Sequence, residues 1–310
     1  MKVSIFGSSG FVGEYIVNEL IKNNFKPYAL IRYGSDSKIK NKQGIKIITG
    51  NLDNSTAIEQ TIMNTEAVIY NVGIIREFKS EGITFEKLHF NYFKQVVDIA
   101  KKLNVNRFIL MSANGVKENG TGYQTTKYKA EEYLKNSGLK WTIFRPSLIF
   151  GNSTDKQEFC KQLKKDMISL PFPAPLFYSG LFPTKAGSFE MSPIHVKDVS
   201  KIFVKALSIK DTIGSTYELG GKNKSWKEIV SLISLACGKN KFFVPAPVWP
   251  IKMFASILDR FRFFPISKDQ LIMLLEGNVC DSEEIFKLFR IDVPIDFNLE
   301  SLSYLSKENE

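Results

Sequence analysis

Tyr123 and Lys127 stand four residues apart in a helix-like stretch, Tyr123–Lys135, so their side chains share one helical face. A phenol beside an ammonium is a proton-exchanging pair. The positive charge favours the phenolate, and an oxidised nicotinamide nearby would favour it further. The hydroxyl can then exchange a proton with a substrate alcohol or carbonyl. Tyr128 and Lys129 lie close by without sharing that spacing. A second chemical feature opens the chain. The apolar run Val3–Phe6 leads directly into Gly7-Ser8-Ser9-Gly10-Phe11-Val12-Gly13, and a helix-like run from Glu14 to Lys22 follows. Strand, glycine loop and helix in that order form the context of a dinucleotide phosphate site. Gly7 permits the tight turn, a side chain at Gly10 would obstruct a pyrophosphate, and Gly13 lets the helix pack closely on the strand. The free N–H groups of the helix start then face the phosphates.

A third residue bears on which dinucleotide binds. The second apolar run ends Leu30-Ile31-Arg32-Tyr33. A carboxylate at that place usually receives the ribose hydroxyls of NAD. Arg32 instead presents a planar fork of donors suited to a 2′-phosphate, so NADP(H) is expected over NAD(H).

These groups need a scaffold, and the apolar runs supply one. After the first strand and helix come Tyr28–Arg32, Ile45–Thr49 and Ala67–Val72, then a long amphipathic stretch over Phe85–Leu103, Phe108–Ser112, the helix bearing Tyr123, and Trp141–Phe144. Strands separated by helical segments imply right-handed crossovers. The expected class is α/β, a Rossmann-type doubly wound parallel sheet over residues 1–151 with a smaller C-terminal lobe over 152–310. Beyond Gly151 the regularity breaks at Pro171–Pro175 and at Pro245–Pro250, with short strands at Ser192–Val196 and Ser215–Leu219 and helices at Val199–Leu207 and Trp226–Cys237. Strands such as Ser215–Leu219 are candidates to rejoin the main sheet. Asp155–Lys165 reads as a solvated, mixed-charge face.

Bulk properties narrow the function further. The chain has 310 residues, 44% hydrophobic content and a formal charge of +10, with a mean hydropathy of −0.11. It reads as globular, with no apolar stretch of membrane-spanning length and no signal peptide ahead of the first strand. Cys160, Cys237 and Cys280 are too widely spaced for a disulfide framework, and His89 and His195 are the only histidines, so no metal site is expected. The lysines form no nucleic-acid motif. A cytoplasmic setting is expected.

The motifs together resemble the short-chain dehydrogenase/reductase superfamily, of the extended or atypical kind. The agreeing marks are the glycine loop, the Tyr123/Lys127 pair, Arg145-Pro146-Ser147-Leu148-Ile149-Phe150-Gly151, His195-Val196-Lys197-Asp198-Val199 and Tyr217-Glu218-Leu219-Gly220-Gly221. The resemblance spans nearly the whole chain. It implies that Tyr123 is the acid/base, that Lys127 binds the nicotinamide ribose and tunes the tyrosine, and that Ser112 orients the substrate. It also implies cofactor contacts from Gly7, Ser9, Gly10, Phe11, Val12, Gly13, Arg32, Asn51, Leu52, Asn71, Gly73, Lys127 and Pro146. Two departures stand out. An ungapped alignment places the family's serine on Ala113, one residue after Ser112, and adjacent strand residues point to opposite faces. Asn51 stands where an acidic residue often meets the adenine.

Asn71-Val72-Gly73-Ile74-Ile75-Arg76-Glu77, Val244-Pro245-Ala246-Pro247 and Ile266-Ser267-Lys268-Asp269-Gln270-Leu271 are similar to the accessory NADPH-binding subunit of respiratory complex I and its bacterial relatives. That likeness implies a link to complex I or to quinone biosynthesis, with a small-molecule, lipid or quinone-like substrate. In the tail, Phe254, Ile257, Leu258 and Phe261 fall at helical spacing among Lys252, Asp259, Arg260 and Arg262. Such a stripe packs on its own lobe, or lies on the inner face of a membrane or a partner. Two readings follow: an NADP(H)-dependent oxidoreductase or epimerase, favoured by Tyr123 and Lys127, and a non-catalytic nucleotide-binding subunit of a membrane-associated assembly.

Overall fold

The structure is a computed structural model that describes residues 1–35, 42–153, 158–258 and 266–306. In chain order its Rossmann elements are β1 (Lys2–Phe6), α1 (Phe11–Lys22), β2 (Lys26–Ile31), β3 (Lys46–Thr49), α2 (Ser55–Ile62), β4 (Ala67–Tyr70), α3 (Tyr92–Lys102), β5 (Arg107–Met111), α4 (Gly122–Lys135) and β6 (Lys140–Pro146). There follow β7 (Ile149–Phe150), α5 (Phe159–Leu163), β8 (Ala174–Tyr178), β9 (Glu190–Met191), β10 (Ile194–His195), α6 (Val196–Ala206), β11 (Ser215–Leu219), β12 (Lys224–Ser225), α7 (Trp226–Ala236), β13 (Phe243–Pro247), α8 (Val248–Leu258), α9 (Lys268–Glu276) and α10 (Glu283–Leu288).

Seven strands form one parallel sheet in the order β11-β6-β5-β4-β1-β2-β3. The core strands are continuous apolar runs because helices cover both faces. On one face Ile16 and Leu20 of α1 meet Val199 and Phe203 of α6. On the other, Ile58 of α2, Phe93 and Val97 of α3 and Leu134 of α4 pack together. β1 pairs with β2 on one side and β4 on the other. Chain order therefore reverses between β1 and β4, opening a crevice beyond their carboxyl ends.

β11 lies beside β6 in parallel register, Ser215 opposite Thr142, and α6 covers the sheet. Ser215–Leu219, a candidate to rejoin the main sheet, thus does so as its edge strand beside β6. The lobe has its own core of Phe150, Trp226, Ile229, Ile233, Leu271 and Leu302. The Phe85–Leu103 stretch divides into a π-helical segment, Glu86–Asn91, and α3. Within Asp155–Lys165, Asp155, Lys156 and Gln157 fall outside the described residues, while Glu158 and Cys160 are buried rather than solvated. Glu158 is turned inward because its carboxylate caps α5 through Lys161 N. The stripe expected over Phe254, Ile257, Leu258, Asp259, Arg260, Phe261 and Arg262 falls on side chains outside those described. Among the described residues no helix is long and apolar enough to cross a membrane.

Candidate functional site

The glycine loop sits where β1 and β4 emerge side by side. Asn71 N donates to Phe6 O at 2.9 Å. This brings the two exits so close that a Cβ on Gly7, whose φ is +92°, would lie 2.4 Å from Asn71 O. A Cβ on Gly13 would come within 2.1 Å of Gly7 O. α1 is therefore seated on the loop's own carbonyl, closer than the strand packing expected of Gly13. Gly10 differs from both, because a Cβ there meets only Gly7 O, at 3.3 Å, and otherwise extends into open space.

Two observations test whether a dinucleotide phosphate fits. No side chain caps the N-terminus of α1, so its first N–H groups and positive dipole end are available to an anion. The Ser8 hydroxyl is buried in the loop without a hydrogen-bond partner among the described residues, which leaves a polar group able to meet a ligand oxygen. The residues fit. Around this loop Arg32 is exposed just past β2, Asn51 and Leu52 follow β3, Asn71 and Gly73 follow β4, and Pro146 ends β6. These residues stand at the carboxyl edge of the sheet, while Lys127 comes from α4.

α4 carries Tyr123 and Lys127. Its start is fixed by a capping box in which Thr121 accepts from Gln124 N and Gln124 accepts from Thr121 N. Lys127 is buried, and its Nζ donates to Met111 O at 2.9 Å at the end of β5. Burial lowers its pKa to about 8, with the Glu131 carboxylate pulling the other way. The half-buried Tyr123 ring is set edge-on against His89 at 5.1 Å and Phe85 at 5.7 Å. Its hydroxyl makes no hydrogen bond among the described residues. Burial raises the Tyr123 pKa to about 12. The expected lowering by Lys127 is absent here, since the apolar surroundings outweigh it and the ammonium points at Met111.

His89 is a site residue that sequence reasoning missed. The π-helical turn directs it inward, where Nδ1 lies 3.1 Å from Thr126 Oγ1 and Nε2 lies 3.1 Å from the backbone of Ile74. Burial, then the Lys127 charge, depress its pKa to about 2, so the imidazole is neutral. A Cβ on Gly73 would lie 3.4 Å from Lys127 Nζ and 3.7 Å from His89 Nε2. His89 thus joins the β4 exit to α4. His195 instead caps α6, accepting from Lys197 N. Among the described residues no cluster could hold a metal ion.

Ser112 is engaged by α4. Its Oγ donates to Glu131 Oε1 at 2.5 Å. Fully buried Glu131 also receives both arms of Arg145, at 2.9 and 2.6 Å. The lobe reaches the same helix through α9. Asp269 accepts from Tyr123 N at 3.4 Å, and Glu276 takes Lys117 at 2.7 Å and Gln124 at 2.8 Å.

The family model described as NAD(P)H-binding matches residues 7–168, more than half the chain. The chain belongs to this NAD(P)H-binding family. Within it the protein is of the extended short-chain dehydrogenase/reductase type. It is 26% identical over 292 residues to the mitochondrial NADH-ubiquinone oxidoreductase 40 kDa subunit of Neurospora crassa, covering 90% of this chain and 72% of that protein. It is 22% identical to a UDP-glucose 4-epimerase of Vibrio cholerae over 83% of this chain and 82% of the enzyme. Its fold matches the UDP-glucuronic acid 4-epimerase of Bacillus cereus, solved with UDP-glucuronic acid and NAD, with a TM-score of 0.74, 18% identity and full coverage of both chains.

Proposed function

We propose that this NAD(P)H-binding protein is an oxidoreductase or epimerase acting on a hydroxyl or carbonyl substrate, with NADP(H) preferred. The observation that carries the reading is the unbonded Tyr123 hydroxyl, one helical turn from buried Lys127 at the mouth of the crevice. When bound, a nicotinamide dinucleotide supplies the hydride chemistry that side chains lack. Tyr123 Oη holds the proton exchanged with the substrate oxygen. Lys127 stays charged at neutral pH, contacts the ribose and favours the phenolate once its ammonium turns towards Tyr123. Ser112 serves through Glu131, holding α4 against β5 and β6. Arg32, exposed past β2, receives the 2′-phosphate. Losing that contact costs about 1.5–3 kcal/mol, roughly ten- to a hundredfold in NADPH affinity.

A second reading has its own support. Ser112 and Lys127 are both bonded to structural partners, and several relatives are named as complex I subunits or as a photosystem II assembly factor. On this reading the protein is a nucleotide-stabilised subunit of a respiratory assembly, cytoplasmic and peripheral to the inner face of the membrane. Complementation of a deletion strain separates the two. Tyr123→Phe should fail to rescue while retaining the nucleotide, and full rescue would reject catalysis. Titration of wild type and Arg32→Ala with NADPH and NADH tests the cofactor, and equal wild-type affinities would defeat the NADP(H) preference.

A further inference from the structure

Large apolar side chains gather unusually on one ribbon of the lobe. Among the described residues β8 and β13 pair only with each other, in parallel, from Ala174 opposite Phe243 to Pro175 opposite Val244 and on to Tyr178 opposite Pro247. Five paired residues span about 16 Å. At one end Phe172 is 69% and Phe242 82% exposed; at the other Leu181 is 92%, Phe182 74% and Trp249 69% exposed. Val244, between them, is also exposed. Apolar groups so exposed and so gathered mark a contact surface.

The charge along these stretches of chain is one-sided. Residues 167–189 and 229–258, which include the whole ribbon and its flanks, contain no aspartate or glutamate. They do contain Lys185, Lys239, Lys241 and Lys252. Lys241 is spent on the carbonyls of Ile168 and Leu170, fastening the two loops at the Phe172 end. Lys185, Lys239 and Lys252 are exposed. Pro245 and Pro247 lack the N–H groups that an added strand would need, so the edge is a poor template for a peptide or a second copy.

We propose that the β8–β13 ribbon is a membrane-docking surface, its aromatic and leucine tips entering the interface of a bilayer whose anionic lipids are met by Lys185, Lys239 and Lys252. Tryptophan and phenylalanine suit the headgroup boundary, and lysines near an anionic leaflet add attraction that salt screens. This surface is independent of the catalytic reading and of the cofactor residues.

Co-sedimentation of the full chain with phosphatidylcholine vesicles, with and without phosphatidylglycerol, tests the proposal. The protein should pellet with the phosphatidylglycerol vesicles, much less with pure phosphatidylcholine, and less again in high salt. Changing Lys185, Lys239 and Lys252 to Gln should weaken binding about fivefold per lysine. Phe182→Ser, and the combined Leu181→Ser, Phe182→Ser and Trp249→Ser variant, should weaken it further. Nucleotide binding and circular dichroism should stay unchanged in all of them, since these side chains are exposed. Protein remaining in the supernatant with phosphatidylglycerol vesicles overturns the proposal, as does undiminished binding by every variant. A serine variant that loses only self-association on gel filtration, with vesicle binding intact, would assign the tips to a second copy and overturn it too.

Discussion

The three loop glycines look alike in sequence, yet the space around each gives it a different task. A side chain at Gly13 collides with the Gly7 carbonyl, whereas one at Gly10 projects into space that only a ligand would claim. Gly10→Val should therefore abolish nucleotide binding with little loss of stability, and Gly13→Ala should lower the unfolding midpoint first. Calorimetric titration beside urea unfolding tells them apart, and unchanged affinity in Gly10→Val would remove the loop from the phosphate site. Lys127 offers a pH signature at the same scale. Its folded pKa, about 8, lies below the ordinary lysine value of 10.5. Between those values the unfolded chain holds the extra proton, so stability rises as pH rises through that window. Below pH 8 the burial penalty is constant, on the order of 3 kcal/mol. Lys127→Met should lack this rise. Parallel stability curves for the two proteins from pH 7 to pH 10 would show that Lys127 titrates as an ordinary lysine.

At the scale of elements, α4 is held on three sides: by Met111 of β5 through Lys127, by Arg145 of β6 through Glu131, and by α9 through Asp269 and Glu276. The Glu131–Arg145 pair is the costly one to break, because Glu131 is fully buried, and among the described residues Arg145 would keep just one ion pair, with Glu218 at 3.8 Å. Glu131→Ala should destabilise the protein by about 3 kcal/mol or more, against about 1 kcal/mol for Ser112→Ala, read by urea unfolding. A cost for Glu131→Ala within the range of a surface pair would deny the tie. The alternation that set out strands and helices was legible because a strand buried on both faces must be apolar throughout. Tyr123 and Lys127 were legible because helical spacing alone aligns them. His89 was not, since its partners Ile74 and Thr126 come from two other elements and a π-turn aims it. Nor was the engagement of Ser112, which depends on how β5, α4 and β6 are set against one another. The upward Tyr123 shift depends likewise on Phe85 and His89 closing over the ring.

At the scale of the molecule, α9 is held by two kinds of contact that differ in strength. Leu271 of α9 is fully buried in the lobe core, so it seats the helix on its own side. Across the crevice α9 touches the Rossmann body through polar groups: Asp269 at the backbone of Tyr123, and Glu276 between Lys117 and Gln124. Glu276 is exposed and Lys117 about half exposed, so their pair is worth at most about 1 kcal/mol. Truncating Leu271 removes apolar contacts and leaves a cavity, which costs about 2–5 kcal/mol. Helix α9 is thus firmly seated in the lobe and only lightly latched to α4, while the chain beyond it joins lobe and body through Phe289 and Ile291, buried in the Rossmann core, and through Ile295 N donating to Asp198. Leu271→Ala should lower the urea midpoint substantially. Glu276→Ala should leave it within the error of a surface change yet speed hydrogen exchange at the backbone of residues 267–280. Equal midpoint losses in the two variants, or exchange unaltered by Glu276→Ala, would mean that the latch is structural cement rather than a releasable contact.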